Sequence, residues 1–375
     1  MNLTITELKG KSDLNKFVNL PWSIYRNDPH WVPPLKIAIK DLMAPKHPFY
    51  ETSQCRTFLA MQDGKVLGRI MGIINHEHNK FHQEKCGFFG FFEATNNEKV
   101  ANALLRKVQD WLLAEGMDIV RGPVNPSTNY ECGLLVEGFD DDPQLMMTYN
   151  PPFYKKLIED NGYAKSKDLL AYQIDLNFQM PEKIVKIAER VEKSENVTYR
   201  KINMKDWDNE IRLMMDIYNS AWEKNWGFIP MTEKEFLHTA KDLKTVIDPN
   251  LIQFCMVKGD PAAFIVALPD YNQVFKRIPN GRLLPTGIFK LLTGKKHINR
   301  MRVITMGVKE KYRNLGLASL LYKREKEDAL AQGYKECEMS WILEDNFNMN
   351  RPLVVMGAKP YKRYRIFEKV LSKKS

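Results

Sequence analysis

Runs of apolar residues alternate along the chain with polar turns and with stretches that have helical spacing. Residues 56–61 and 66–74 are apolar runs on either side of a polar turn, Gln62-Asp-Gly-Lys65, and this pattern predicts a β-hairpin. Residues 86–93 predict a third strand. Apolar positions from Val100 to Leu112 recur at helical spacing and predict a helix.

The same order of elements returns in the second part of the chain. Residues 196–202 predict a strand, 207–222 a helix, and 253–257 with 262–267 a second hairpin around Lys258-Gly-Asp260. We therefore predict a tandem repeat of one α/β unit. The first unit spans residues 1–177, a linker helix occupies 178–197, and the second unit spans 198–375.

Composition indicates a folded protein that does not cross a membrane. The chain has 375 residues, 44% hydrophobic and 27% charged, and it lacks the run of about 18 apolar residues that a transmembrane helix requires. Its N-terminal residues lack the apolar core of a signal peptide and predict a strand. Five cysteines without CxxC spacing favour reduced thiols, so we predict a cytoplasmic location. A net charge of +10 suits an anionic partner.

One turn has the features of an anion site. The apolar run 303–308 predicts a strand, and residues 313–318 (Arg-Asn-Leu-Gly-Leu-Ala) follow it at the start of a predicted helix. The first N–H groups of a helix have no partner within it, and the helix dipole attracts negative charge to them. A phosphate is the ligand that such a turn suits best.

This turn and its setting resemble the acyl-CoA loop of the GCN5-related N-acetyltransferases (GNAT), which reads R/Q-x-x-G-x-G/A after a strand. The resemblance extends to the order of elements in both halves. It implies an α/β (α+β) fold of two tandem GNAT-like units, each a mixed, mostly antiparallel central sheet flanked by helices. It also implies acetyl-CoA or another acyl-CoA as co-substrate, and no metal. The cofactor-binding residues that it implies are Met306, Val308, Arg313, Asn314, Leu315, Gly316, Leu317, Ala318 and Asn346.

The chain departs from the family pattern at three places. Leu353 stands where the family has its general-acid tyrosine, and the strand 303–308 contains no carboxylate for a general base. In the first half, residues 94–99 have neither the arginine nor the glycine of the loop, although Thr95 or Asn96 could cap the helix. We therefore predict that the first unit is degenerate and that the second alone binds CoA.

Acyl transfer to an amine requires a base for the ammonium and a donor for the developing oxyanion. The candidate catalytic residues are Glu344, Glu223 and Tyr361. Each also has a structural interpretation, as surface charge or as packing on the sheet. The candidate residues for binding the acceptor are Asn125, Asn129, Tyr130, Trp222 and Trp226.

These patterns lead to one preferred function and two alternatives. We predict an N-acyltransferase in which a small-molecule or peptide amine attacks the thioester directly, in a monomer or homodimer. The alternatives are a non-catalytic CoA-binding protein and an aminoacyl-tRNA-dependent transferase of the peptidoglycan-bridge type. Nucleic acid is not favoured, because no platform of interleaved aromatic and basic residues is present.

Two further segments invite a functional interpretation. His76 and His78 share one face if they lie on a strand, but no set of further metal ligands accompanies them. Residues 273–302 form a basic insertion with a short amphipathic piece, residues 288–292, that suits a membrane surface, an acyl chain or an acidic partner. A covering flap with a solvated basic face is the simpler interpretation of the insertion.

Overall fold

The computed structural model describes residues 2–372. The strands are β1 (Thr4–Glu7), β2 (Ser53–Gln62), β3 (Lys65–Asn75), β4 (Cys86–Ala94), β5 (Ile119–Gly122), β6 (Val124–Asn125), β7 (Glu131–Cys132), β8 (Leu134–Glu137), β9 (Ala164–Asp175), β10 (Val197–Lys201), β11 (Ile252–Val257), β12 (Asp260–Pro269), β13 (Arg300–Val308), β14 (Glu336–Leu343) and β15 (Lys359–Val370).

Helices connect and cover these strands. They are α1 (Lys11–Asn19), α2 (Pro21–Ile24), α3 (Lys36–Leu42), α4 (His76–His82), α5 (Glu98–Ala114), α6 (Tyr154–Glu159), α7 (Glu182–Glu192), α8 (Trp207–Trp222), α9 (Glu233–Leu243), α10 (Asn272–Phe275), α11 (Gly287–Gly294), α12 (Leu317–Ala331) and α13 (Phe347–Val355). No helix among residues 2–372 combines the length and the hydropathy needed to cross a bilayer.

The chain forms two compact units. Unit 1 contains the described residues up to Leu169, the segment Val274–Thr293 and the chain from Lys362 onward. Its sheet has the order β1-β2-β3-β4-β5-β15, in which β4 and β5 are parallel and the other pairs antiparallel. The apolar face of α5 packs on this sheet through buried side chains such as Leu104, Val108 and Leu112.

Unit 2 comprises Leu170–Gln273 and Gly294–Tyr361. Its sheet has the order β9-β14-β13-β12-β11-β10; β13 and β14 are parallel, and the pairs from β13 to β10 are antiparallel. Helices α7 and α12 cover one face, where Leu317, Leu320 and Leu321 join the buried core. The mixed, mostly antiparallel sheets flanked by helices confirm the predicted fold class.

The compact units are not the contiguous ranges predicted from the repeat. The predicted last strand of the first repeat continues as β9 beside β14 in unit 2, while the last strand of the second repeat, β15, pairs with β5 in unit 1. The two repeats have thus exchanged their final strands. The predicted linker helix is present as α7 and belongs to unit 2.

Two local predictions need correction. His76 and His78 lie on α4 and not on a strand, because Asn75 caps a helix there by accepting a hydrogen bond from the His78 N–H at 3.0 Å. The basic insertion ends before Arg300, where β13 begins, so Arg302 belongs to the sheet. Arg302 is buried, not part of a solvated face.

Candidate active site

The turn between β13 and α12 has an open helix N-terminus. Gly316 precedes α12 with a φ of 81°, a conformation that glycine adopts without strain, and no side chain among residues 2–372 caps the helix there. A Cβ at Gly316 would lie 2.6 Å from Ile187 Cγ2 on α7, so packing also requires glycine here. Arg313 is exposed in this turn and donates to the Ala221 carbonyl at 3.3 Å. The uncapped N–H groups and the guanidinium together suit a phosphate.

The corresponding turn of unit 1 is closed by a side chain. Asn97 caps α5, its Oδ1 accepting from the N–H groups of Lys99 at 3.0 Å and Val100 at 3.4 Å. The cap is therefore Asn97, where the sequence suggested Thr95 or Asn96. Because Asn97 already satisfies these N–H groups, the two helix N-termini differ in the one property that an anion site needs.

Strands β13 and β14 pair along only part of their length. In the described residues their register runs from Arg300↔Glu336 to Val303↔Met339 and goes no further. Beyond that point Met306, Gly307 and Val308 still pair with β12. The backbone of residues 306–308 therefore has a strand on one edge and an opening toward the far half of β14 on the other. An extended ligand with amide groups could bond to this open edge.

A buried polar network lies where the pairing ends. Glu338 on β14 is fully buried, and Arg302 on β13 approaches its carboxylate at 3.6 Å. Arg302 also donates to the Ser340 hydroxyl at 2.7 Å and the Ser340 carbonyl at 3.0 Å. Ser340 and Tyr361 both donate their hydroxyl protons to Glu338 in short hydrogen bonds. The buried charge of Glu338 is thus matched by a guanidinium and two hydroxyl donors.

Two more groups lie further along β13, beyond Val303, where its pairing with β14 ends. The buried Thr305 Oγ1 has no hydrogen-bond partner within residues 2–372. Gly307 leaves room for the Trp222 ring, because a Cβ at that position would lie 2.7 Å from Trp222 Cζ3. Trp222 also stacks on Tyr218 with a centroid distance of 4.8 Å. A buried hydroxyl without a partner is costly to retain, which makes Thr305 a candidate ligand-binding group.

The three candidate catalytic residues all belong to unit 2, in different settings. Tyr361 is half-buried and takes part in the network through Glu338. Glu344 follows the end of β14, where its carbonyl accepts from Asn350 Nδ2 at 3.2 Å. Glu223 follows α8 and is exposed. Leu353 is buried on α13, so a hydrophobic side chain fills the position of the family's tyrosine.

The predicted acceptor-binding residues divide between the units. In unit 1, Asn125 Oδ1 accepts from the Phe91 N–H at 2.6 Å, the Asn129 N–H donates to Ser127 Oγ at 3.2 Å, and Tyr130 packs edge-on against Phe49. These contacts provide a structural reason for the three residues. Trp222 and Trp226 belong to unit 2.

The implied cofactor-binding residues occupy both core and surface positions. Leu317 is fully buried in the core, with Met306 buried and Val308 and Ala318 packed against it. Side chains of Arg313, Asn314 and Leu315 are exposed, and Asn346 precedes α13 half-buried. For the buried members, a contact with CoA would therefore come from the backbone.

One group of possible metal ligands lies in unit 1. Ligand atoms of His78, Glu84 and Cys86 lie within 4.8 Å of one another. Glu84 is already bound by His78 at 2.6 Å and by Arg121 at 2.5 Å, and these hydrogen bonds lower its pKa to about 2. Burial raises the pKa of the Cys86 thiol to about 12. A metal needs the thiolate, and Arg121 supplies the positive charge that a metal would bring, so the group is better suited to holding β5 in place.

Sequence reasoning missed Arg302, Thr305, Glu338 and Ser340. A signal was present for Glu338, because a carboxylate in the middle of an apolar strand, Glu336-Cys-Glu-Met-Ser-Trp-Ile-Leu343, requires a partner once it is buried. Arg302 was hidden by its place at the end of a run of basic residues. Nothing local in the sequence indicates that these residues meet.

Comparison with known proteins gives two relatives of high coverage. No protein-family model matches the chain. It is 36% identical over 381 residues to the bacterial ceramide synthase of Caulobacter vibrioides, covering 99% of this chain and 98% of that one. It is 37% identical over 369 residues to protein YghO of Escherichia coli, covering 96% of this chain and 93% of that one.

Solved structures identify the fold. A tandem GNAT protein from the clavulanic acid biosynthesis pathway matches all of both chains with a TM-score of 0.61 at 11% identity. A GCN5-related N-acetyltransferase from Sphaerobacter thermophilus matches 100% of this chain and 97% of its own, with a TM-score of 0.53 at 13% identity. The chain therefore belongs to the family that includes the ceramide synthase of Caulobacter vibrioides, and it is an N-acyltransferase built from two tandem GNAT units.

Proposed function

We propose that this enzyme transfers a long acyl chain from acyl-CoA to the primary amine of a sphingoid base, and so forms a ceramide. The observation that carries the proposal is the identity of 36% along 99% of the chain to a protein named a ceramide synthase. A ceramide is the amide of a fatty acid with a long-chain amino alcohol. The proposal thus specifies a sphingoid base as the amine acceptor, which the sequence left open. It also proposes a longer acyl-CoA as the donor in place of acetyl-CoA.

The uncapped N-terminus of α12 supports acyl-CoA as the donor. In the proposed complex the pyrophosphate binds the first N–H groups of α12 and Arg313. The pantetheine arm bonds to the open edge of residues 306–308, which brings the thioester toward the end of the β13–β14 pairing. In the same proposed complex, Asn346 and the turn residues Asn314 and Leu315 also contact the cofactor.

The network around Glu338 supports a proton path for the reaction. The amine nitrogen attacks the thioester carbonyl and forms the C–N bond, and the carbonyl electrons move to oxygen, where the Thr305 hydroxyl donates a hydrogen bond. Tyr361 accepts a proton from the substituted ammonium as it passes its own proton to Glu338. Collapse of the intermediate breaks the C–S bond, and Tyr361 donates its proton to the thiolate while Glu338 returns a proton to Tyr361. The products are the amide and CoA–SH, with no net change in the protein.

In this scheme Glu338 and Arg302 are positioning residues, and Tyr361 and Thr305 are the catalytic residues because both contact reacting atoms. We propose no catalytic step for Glu223 or Glu344. Trp222 borders the acceptor side of the opening through its contact with Gly307.

The proposal is tested by presenting purified enzyme with palmitoyl-CoA and sphinganine, and by following thiol release and amide formation by mass spectrometry. We expect N-palmitoyl sphinganine and an equal amount of CoA thiol. Acetyl-CoA with sphinganine, and palmitoyl-CoA with spermidine or glucosamine, serve as matched pairs in which one substrate is changed at a time. A higher kcat/KM for either small amine, or thiol release without an amide product, would reject a sphingoid base as the acceptor.

A further inference from the structure

An exposed apolar and basic surface lies in the insertion of unit 1, which contains none of the residues assigned to catalysis. A cluster of exposed apolar side chains rimmed by polar residues, unlike a single one, often marks an interaction site. Leu284 is 75% exposed, Phe289 67% and Leu292 71%. Phe289 and Leu292 are three residues apart on α11 and therefore lie on the same side of the helix.

The backbone of this segment is fixed by unit 1, so these apolar side chains are held outward. The Trp22 indole donates to the Pro279 carbonyl at 2.7 Å, and the Lys36 N–H donates to the Gly281 carbonyl at 2.9 Å. Gly287 packs against the backbone of Arg282, where a Cβ would lie 2.3 Å from the carbonyl oxygen. One side of α11 is thus occupied by its own unit, and the other is left to solvent.

The charge within the insertion is of one sign. Between Asp270 and Glu310 the sequence contains no acidic residue. Arg282 and Lys290 flank the exposed apolar side chains, and Lys295 and Lys296 follow directly in the sequence.

Helix α3 extends this character beyond the insertion. It starts at Lys36, next to Gly281, and presents Ile37, which is 64% exposed. Burial and the nearby charges of Arg282 and Lys40 lower the pKa of Lys36, which places these cations close together. We call the set Ile37, Lys36, Lys40, Arg282, Leu284, Phe289, Lys290 and Leu292 the α3–α11 surface.

We propose that the α3–α11 surface docks the enzyme on an anionic lipid bilayer. The apolar side chains enter the boundary between headgroups and acyl chains, and the lysines and arginines lie against the lipid phosphates. An acidic protein partner would match the positive charge of this surface, but it would not explain why Leu and Phe side chains are exposed there. A bilayer accounts for both, because it offers phosphates to the cations and an apolar interior to the Leu and Phe side chains. Bilayer binding does not depend on the acceptor proposed above, and it is measured without turnover.

The test is sedimentation of the full-length enzyme with vesicles of phosphatidylcholine alone or mixed with phosphatidylglycerol. We expect binding to the mixed vesicles at low salt, weaker binding at high salt, and little binding to phosphatidylcholine alone. The double variant Phe289→Ser/Leu292→Ser is expected to weaken binding to mixed vesicles by at least about tenfold. The charge variant Lys36→Gln/Lys290→Gln is expected to remove most of the salt dependence.

The matched control is Phe81→Ser/Val370→Ser, which removes two exposed apolar side chains elsewhere in unit 1. It is expected to bind like the wild type. Equal binding by the Phe289→Ser/Leu292→Ser variant, or no binding by the wild type, would overturn the proposal. Sedimentation velocity without vesicles tests whether the α3–α11 surface binds a second copy of the chain instead. A wild-type dimer that the Phe289→Ser/Leu292→Ser variant converts to a monomer would assign the surface to that second copy.

Discussion

Two buried glutamates of unit 2 are stabilised in opposite ways. Glu338 is surrounded by Arg302, Ser340 and Tyr361, which satisfy a charged carboxylate. Glu325 on α12 is 4% exposed, and its two oxygens have no hydrogen-bond partner within residues 2–372. Burial, followed by the nearby carboxylates Asp328 and Asp248, raises the pKa of Glu325 well above its ordinary value. Each environment leads to a measurement at a single residue.

For the network, the informative change is Tyr361→Phe, which removes one hydroxyl. Because the proposed proton path runs through that hydroxyl, we expect kcat to fall by about a hundredfold or more. The Kd for acyl-CoA should change little, whereas the melting temperature should fall, because buried Glu338 loses one of its hydrogen-bond donors. Tyr50→Phe is the matched control, since it removes a hydroxyl that bonds the Leu42 carbonyl in unit 1 at 3.0 Å. A Tyr361→Phe enzyme with wild-type kcat would remove Tyr361 from the mechanism.

For Glu325, we expect stability to depend on pH in a defined direction. The pKa of Glu325 in the folded state lies above 4.5, the ordinary value that applies to the unfolded state. Between pH 4.5 and the folded pKa, the folded state therefore holds a proton that the unfolded state has lost. The contribution of Glu325 is therefore fully present below pH 4.5 and is lost as the pH rises toward the folded pKa.

The neutral variant Glu325→Gln should avoid this loss. In urea unfolding at pH 7, we expect the free energy of unfolding of Glu325→Gln to exceed that of the wild type by at least about 1 kcal/mol. This difference should become smaller at pH 4. Glu327→Gln, on the exposed side of the same helix, should change stability by less than about 0.5 kcal/mol at both pH values. A lower stability for Glu325→Gln at pH 7 would contradict the raised pKa.

At the scale of elements, the two helix N-termini that follow β4 and β13 make a natural comparison. Asn97 caps α5, whereas Gly316 leaves α12 without a side-chain cap. We expect calorimetry with acyl-CoA to give one site per chain. Asn314→Glu places a carboxylate in the exposed turn before α12 and should weaken binding by about tenfold or more through charge repulsion.

The control for that measurement is Asn96→Glu, the same change in an exposed turn before α5. It should leave the affinity for acyl-CoA unaltered. Two sites per chain, or equal weakening by both variants, would show that unit 1 also binds the cofactor. Substitution of Gly316 itself is less informative, because its positive φ and its contact with α7 would disturb folding as well.

The elements themselves could be predicted from the sequence because their signals are local. Hairpin turns, the apolar faces of α5 and α7, and the glycine before α12 all act within a few residues of where they stand. The prediction of a strand at His76 and His78 was wrong because the Asn75 cap that starts α4 outweighs a short apparent alternation. Arg302 misled because burial depends on Glu338, which is 36 positions away in the chain.

At the scale of the whole molecule, the tandem GNAT order was predictable and the make-up of each unit was not. The tandem GNAT order was predictable because the order of elements repeats along the sequence, and the solved tandem GNAT structure agrees with that order along the full chain. Pairing of β15 with β5 joins Phe367 to Gly122, and no local pattern specifies a partner at that separation. The phosphate loop of the candidate site was predictable because it is a short local motif. The network around Glu338 was missed because strands far apart in the sequence bring its residues together.

The exchanged final strands also bear on how the protein is made. The residues of unit 1 up to Leu169 are synthesised long before β15, the strand that pairs with β5 in the same unit. Until β15 has been synthesised, β5 offers an unpaired edge, a state in which nascent chains are exposed to misassociation. Neither repeat is therefore suited to production on its own, and dividing the gene between β9 and α7 should yield two fragments that become native only when they are made together.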